Sequence, residues 1–332
     1  MKKSFLTAVF VFIVVFLMGQ SLHSPSEIFQ IMEKSPVSYE LNLLDSIIPV
    51  PDRTENLNYN FYYRVIDENS ISTFRYETSE TANNYFSKAE KYYSEGNYDL
   101  AREMYLKVLE TDSSYFEVMT YIGQMYENEG DIDNAIKWFK IAIDHNYIDY
   151  MAHWFLADAY QDQGDLDKAV DEITIALILN RNNPRIKDSF SNIYKKKKLK
   201  SSDWTFNPQM RIDSIGINKV KISFEEVWLG YALVKALWEF EPGYSESMGV
   251  TKGTYSTIQD KEALLGLMSG LNKKKIKKEP EFKALNKSFD NKMLDEFILF
   301  EIVLPDIPMV AYQLPKETIL DIKNYVIQVR GN

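Results

Sequence analysis

Three histidines and no cysteine bound the side-chain chemistry open to this 332-residue chain. Without thiols there is no thiol catalysis, no thiolate metal site and no haem attachment through cysteine. A histidine-based triad needs a nucleophile and an orienting acid around His23, His145 or His153, and no nucleophile-elbow or metalloprotease motif accompanies them. No glycine-rich phosphate loop is present; Gly266-x-x-x-Gly270 lies in a helical pattern and predicts close helix packing. The adjacent acids Glu225 and Glu226 point about 100° apart on a helix, which suits helix N-terminal charge better than joint acid–base work. Glu239 and Glu241 flank a helix end beside Trp238 and Phe240, a setting that raises a carboxyl pKa. No catalytic residue, metal ligand or cofactor-binding residue is assigned, and the chain reads as a non-enzyme.

A formal charge of −10 with 45% hydrophobic and 26% charged residues describes an acidic globular protein and argues against a nucleic-acid binder. Lys195–Lys198 and the Lys273–Lys278 run could touch anionic surfaces, but each follows a predicted helix, where lysine meets the C-terminal dipole. The N-terminus reads Met1-Lys2-Lys3, then an apolar run over 5–18, then Gly19-Gln20-Ser21. A cationic start, a short apolar core and small exit residues describe a secretory leader with cleavage after Ser21. A retained anchor is the alternative, although the run is shorter than the roughly 20 residues that span a bilayer. Periplasm or outer cell surface of a bacterium is the expected address, without lipidation through cysteine, and no stable membrane span is expected once the leader is removed.

The elements are organised by a repeat. Gly96, Gly130 and Gly164 stand 34 residues apart, as do Ala101, Ala135 and Ala169, and Tyr92, Tyr126 and Tyr160. Four further columns keep the step: Asp99/Asp133/Asp167, Ala89/Gly123/Ala157, Tyr105/Phe139/Ile173 and Val108/Ala142/Ala176. His153 shares its column with Tyr85 and Met119, which predicts packing. Each unit reads as two helices broken at a glycine suited to a left-handed turn, with Asn or Asp placed to cap the second helix. Small residues in one column let the helices approach closely. The pattern resembles the tetratricopeptide repeat (TPR) family over about residues 82–183, in three units. Ser113, Tyr147 and Arg181 stand where that family usually has proline, and Lys88 sits in an apolar column. Pro184 opens a further helix with Ile186, Phe190, Ile193 and Tyr194 on one side, as a solenoid end requires.

The resemblance implies a concave groove lined by the first helix of each repeat and used to bind a protein or peptide. The implied contact residues are Phe86, Glu90 and Tyr93, then Glu117, Gln124 and Glu127, then Trp154, Asp158 and Asp162, with Asn83, Ser94, Thr120, Asn128, Met151 and Gln161 beside them. Five of these fifteen are acidic and none is Lys or Arg, so the cationic clamp by which some members hold a C-terminal carboxylate is missing. Acids among Phe86, Tyr93 and Trp154 favour cationic and apolar side chains on the ligand. The same pattern also fits a solvated acidic face touched by the protein's own N-terminal segment.

The expected organisation is a leader (1–21), an N-terminal extension (22–80), a TPR domain (81–200) and a C-terminal helical domain (201–332). The fold class is all-α, with one short strand at 219–224. In the extension, 26–34 reads as a helix, and 59–65 and 72–76 are rich in β-forming residues. In the last part, Ser223 and Glu226 form a capping-box pattern before a nearly all-apolar helix running to Phe240. Further helices are expected at 257–271, 280–289, 292–303 and 316–329, with Pro305, Pro308 and Pro315 fixing an extended link. Two other functions fit the sequence: residues 201–332 as an enzyme or small-ligand binder that the repeats position, and the repeats as a self-association module.

Overall fold

The computed structural model describes residues 22–53, 62–67, 70–201 and 203–330, so the expected leader lies outside the described residues. The chain is mainly helical and divides into two compact units. One takes the chain up to Val50 with Thr205–Ile298; the other takes Pro51–Trp204 with the chain from Leu299 onward. This differs from boundaries at 80/81 and 200/201, because both flanks are shared out by long-range packing.

The first elements, α1 (Pro25–Lys34) and β1 (Ser38–Leu43), belong to the unit that contains Thr205–Ile298. The repeat unit begins with an antiparallel hairpin of β2 (Tyr62–Ile66) and β3 (Ile71–Arg75). Three helical hairpins follow: α2 (Glu80–Ser94) with α3 (Tyr98–Thr111), α4 (Glu117–Asn128) with α5 (Ile132–His145), and α6 (Tyr150–Asp162) with α7 (Leu166–Leu179). Gly96, Gly130 and Gly164 each break a pair with φ between 75° and 83°, the left-handed turn that needs no Cβ. Asp131 and Asp165 cap α5 and α7 by accepting the amides of Asn134 and Lys168, whereas Asn97 makes no side-chain cap bond. The column residues Ala89, Ala101, Ala135, Ala157 and Ala169 are all fully buried between the helices.

After α7 comes α8 (Pro184–Lys196), with Pro184 in its first turn and Asn183 capping two amides. Its Ile186, Phe190, Ile193 and Tyr194 are buried, as the end-capping pattern predicts. The helical C-terminal segment of the chain adds to this end. Arg181 lies 4.2 Å over the Phe300 ring and 3.5 Å from Glu301, which also takes Arg330 at 2.8 Å and the Tyr325 hydroxyl at 3.0 Å. Asn182 donates to the Pro305 carbonyl at 2.9 Å, and Lys323 pairs with Asp171. Arg181 therefore has a physical reason to stand where the family prefers proline. Tyr147, at the equivalent place one repeat earlier, faces Arg64 at 5.7 Å and Lys316 at 4.5 Å.

The other unit is built on a three-stranded sheet of order β1, β5, β4. Strand β4 (Met210–Gly216) pairs antiparallel with β5 (Lys219–Phe224), and β1 lies parallel on the far side, Ser38 opposite Lys219. The capping box expected from Ser223 and Glu226 does not form. Ser223 is paired within β5, and a 3-10 turn (Glu226–Trp228) starts after Glu225 with no side-chain cap bond. Behind it α9 (Leu229–Phe240) buries Tyr231, Leu233, Leu237 and Trp238 as the centre of this unit. Short α10 (Tyr244–Ser247) leads to α11 (Thr257–Gly270), which crosses α9 where Gly230 and Gly266 meet backbone to backbone. The lysine run forms a short helix of its own, α12 (Lys273–Lys278), capped by Asn272, and so does not trail a preceding helix as expected. Then follow α13 (Pro280–Asp290) and α14 (Leu294–Phe297).

From Ile298 to Val303 the chain is π-helical. The prolines beyond do not hold an extended link. Pro305 lies in the turn α15 (Leu304–Asp306) and Pro308 opens a 3-10 helix (Pro308–Gln313), because the fixed proline φ suits the first turn of such helices. Pro315 caps α16 (Lys316–Tyr325), which runs into a π turn (Val326–Arg330).

Candidate functional site

The nine groove residues named from the sequence fall on the first helix of each repeat. Phe86, Glu90 and Tyr93 lie on α2, Glu117, Gln124 and Glu127 on α4, and Trp154, Asp158 and Asp162 on α6. Two groups emerge from the electrostatics. Towards the C-terminal ends of α4 and α6, burial first, then the charges of Asp158 and Asp162, push Glu127 up to about 7. Burial raises Asp158 to about 6; Asp162 adds to the rise, while Lys196 and Trp154 oppose it. Trp154 is half-buried and donates its indole N–H to Ser189 Oγ on α8 at 2.8 Å. Tyr93 is half-buried against Tyr98, with ring centroids 6.0 Å apart, and Gln124 is half-buried.

The second group is closed and aromatic. Phe86 stacks on Tyr115 at 5.6 Å and touches Tyr105 and Tyr121. Glu90 accepts the Tyr105 hydroxyl, and Glu117 accepts the Tyr121 hydroxyl at 2.5 Å. Glu117 is only 3% exposed, and burial pushes its carboxyl up to about 8 against the Tyr121 hydrogen bond. Asp149, the α6 N-cap, accepts the Thr120 hydroxyl at 2.6 Å and two amides of its own helix. The protein's own extension reaches this end: Tyr76, just after β3, packs on Tyr115 at 5.2 Å and receives a bond from Asn146. The idea that the N-terminal segment touches the acidic face thus fits the geometry at Glu117. Sequence reasoning missed Tyr76 and Tyr115 because neither belongs to a repeating column.

The histidines are in structural settings. His153 is buried, with Nδ1 2.6 Å from Glu172 and Nε2 3.1 Å from the Tyr147 carbonyl, and His145 stacks on Phe116. In the sheet-bearing unit, His23 reaches Glu262 through its backbone amide (2.9 Å) and Nδ1 (3.0 Å). Fully buried Glu262 also accepts Trp238 Nε1 and the Tyr244 hydroxyl. Fully buried Asp260 holds Lys235 at 2.5 Å and the Tyr255 hydroxyl at 2.6 Å. The only sequence sign of these acids is that α11 lacks a clean apolar stripe. The pair Glu239 and Glu241 does not converge: Glu239 is exposed, while Glu241 accepts Ser35 and Tyr39. A small apolar hollow beside His23 is lined by Ile28, Phe29, Leu233 and Val234.

Three successive helical hairpins packed one on the next define a helical-repeat protein. Residues 53–179 match the family model described as the SusR N-terminal TPR domain, and the repeat region is a TPR domain. The match begins upstream of the repeats and takes in the β2–β3 hairpin. Among solved structures, the first TPR of Spaghetti (RPAP3) bound to the HSP90 peptide SRMEEVD is 22% identical, with 36% of this chain and 95% of that one covered and a TM-score of 0.34. The Yersinia enterocolitica type III secretion chaperone SycD, in complex with a peptide of the translocator YopD, is 20% identical over 36% and 97%, also at 0.34. The Arabidopsis OM64 TPR domain is 14% identical over 35% and 97%, with the same TM-score. No curated relative matches the chain.

Proposed function

We propose that this protein is an exported scaffold that holds a protein or peptide partner in the concave groove of its repeats, and that the partner offers cationic and apolar side chains. The observation that carries this reading is the cluster of Glu127, Asp158 and Asp162 on α4 and α6, in which burial raises Glu127 and Asp158 and the charge of Asp162 adds to both rises. A cation placed there relieves the repulsion, so the field favours Lys or Arg over neutral side chains. Half-buried Tyr93 and Trp154 add ring faces for apolar or cationic contact. Export rests on the leader-like first 21 residues; among the described residues no helix is long and apolar enough to cross a membrane.

Capture from envelope extracts tests the reading. The wild type is expected to retain a protein that a variant carrying Tyr93→Ala, Trp154→Ala and Asp158→Lys loses, once both are shown to fold alike. Identical retention by the two chains removes the groove from that role. Affinity for the captured partner is expected to rise between pH 5.5 and 7.5, because Asp158 and Glu127 ionise near 6 and 7 and only the ionised forms attract a cation. A flat profile, or one falling with pH, contradicts the cationic assignment.

A second reading gives the activity to the sheet-bearing unit, and the apolar hollow beside the His23–Glu262–Tyr244 cluster is the observation in its favour. Against it, the Glu262 carboxylate is already engaged by Trp238, Tyr244 and His23. Self-association of the repeats is the third reading, and a strictly monomeric mass in dilute solution excludes it.

A further inference from the structure

We infer that Glu117 and the tyrosines around it form a subsite for a single cationic group of the partner, an ammonium or guanidinium, and that Tyr76 covers this subsite in the free chain. The inference rests on the groove reading and deepens it at the first turn of α4.

Two buried oxygens at this place have no hydrogen-bond partner among the described residues: Oε2 of Glu117 and Oδ1 of Asn146. Both residues are nine-tenths or more buried, at 3% and 4% exposure. Each also meets Tyr76, Asn146 by donating to its hydroxyl at 3.3 Å and Glu117 through its backbone amide. Once Glu117 is ionised both oxygens are acceptors that call for donors, and ammonium and guanidinium groups carry several donors and no acceptor. The neighbouring acids are already committed. Asp149 uses both oxygens on Thr120 and two amides, and Glu90 takes the Tyr105 hydroxyl.

Among the described residues, the charges acting on Glu117 are of one sign. Glu90 acts on it from α2 and Asp149 from the head of α6, and the remaining titratable neighbours are Tyr121 on its own helix, Tyr115 before it and Tyr76 from the extension. Among the described residues, no Lys or Arg acts on it. Ring faces complete the recognition chemistry: Tyr76 and Tyr115 lie 5.2 Å apart, and Phe86 stands between Tyr115 and Tyr121 at 5.6 and 6.0 Å. Because burial holds the Glu117 carboxyl up to about 8, it carries a proton near neutral pH. Docking a cation at Oε2 releases that proton to solvent, so one positive charge is exchanged for another and binding strengthens as pH rises. Tyr76 must swing aside with the end of the β2–β3 hairpin, which is held here by the Asn146 bond to the Tyr62 carbonyl and the Arg64 bond to the Leu314 carbonyl.

Calorimetric titration of the full chain with hexalysine and with hexaarginine, in buffers of different ionisation enthalpy at pH 6, 7 and 8.5, tests this. The wild type should bind at least about tenfold more tightly at pH 8.5 than at pH 6 and release close to one proton at pH 7. Glu117→Gln, which mimics the protonated acid and keeps an acceptor for Tyr121, should lose about tenfold at pH 8.5 together with the proton release. Tyr76→Ala, which removes the cover, should bind about tenfold more tightly than wild type. Equal binding by wild type and Glu117→Gln overturns the subsite, as does a lack of binding by both wild type and Tyr76→Ala at pH 8.5. The envelope partner separates the two levels. Retention unaffected by Glu117→Gln but lost in the Tyr93/Trp154/Asp158 variant overturns the subsite and leaves the groove standing, whereas retention by both variants overturns both.

Discussion

Gly230→Ala is expected to destabilise the sheet-bearing unit by about 3 kcal/mol or more, at the upper end of what overpacking costs. A Cβ on Gly230 would lie 2.3 Å from the Gly266 carbonyl oxygen and 2.7 Å from its carbon. A Cβ on Gly266 would lie 2.6 Å from the Gly230 oxygen. The obstacles are backbone, so no rotamer change relieves them, and α9 must part from α11. That separation opens the packing of Leu233, Leu237, Ala263, Leu264 and Leu267, none more than 1% exposed. Alanine's better helix propensity returns only about 1 kcal/mol, so the clash decides the sign. Gly270→Ala serves as the control, because its Cβ would sit at an ordinary 3.5 Å from the Val227 oxygen. In urea titrations followed by tryptophan fluorescence, the transition reporting Trp228 and Trp238 should move to lower urea for Gly230→Ala and stay near wild type for Gly270→Ala. Equal midpoints for the two variants would refute the close crossing.

The second large effect is a pH-dependent gain in the repeat unit from Glu117→Gln. The Glu117 carboxyl stands at about 8 in the folded chain, against 4.5 for the same group in the open chain, chiefly because it is buried. Between those values the folded state binds more protons than the unfolded state, so this group's contribution to stability is complete below 4.5 and declines as pH rises through 8. The span amounts to a few kcal/mol, with about 1.4 kcal/mol for each pH unit of difference. Glutamine does not titrate. Wild type and variant should therefore melt within a degree or two of one another at pH 4.5, and the variant should melt higher by several degrees at pH 8.5. Glu127 and Asp158 titrate alike in both proteins and cancel in the comparison. Parallel melting curves across this range would show that Glu117 is not held protonated by burial.

The repeat architecture was legible because it is written locally. A 34-residue period, a glycine at each helix break and a small-residue column state the hairpin geometry within a single unit, and α2 to α8 follow it closely. The proposed groove positions came from the family resemblance, and the structure places all nine on α2, α4 and α6. What escaped depends on partners far away in the chain. Strand β1 has no mark of its own until Ser38 lies beside Lys219, and His23 looks like a leader-proximal residue until Glu262 takes its amide. Arg181 reads as a loss of the usual proline, yet Phe300 and Glu301, more than a hundred residues on, account for it. The same distance effect divided residues 201–332 between two units. Tyr76 lies outside the repeats, so no column revealed that it would cover Glu117.

Hydrogen–deuterium exchange of the full chain, alone and with the partner recovered from the envelope, tests the groove reading most directly. The account predicts new protection along the inner helices α2, α4 and α6, centred on Glu117 to Asn128 and Tyr150 to Asp162, with faster exchange in the β2–β3 hairpin as Tyr76 lifts. Protection confined to α9 and α11, with the inner helices unchanged, would contradict it and assign the partner to the sheet-bearing unit.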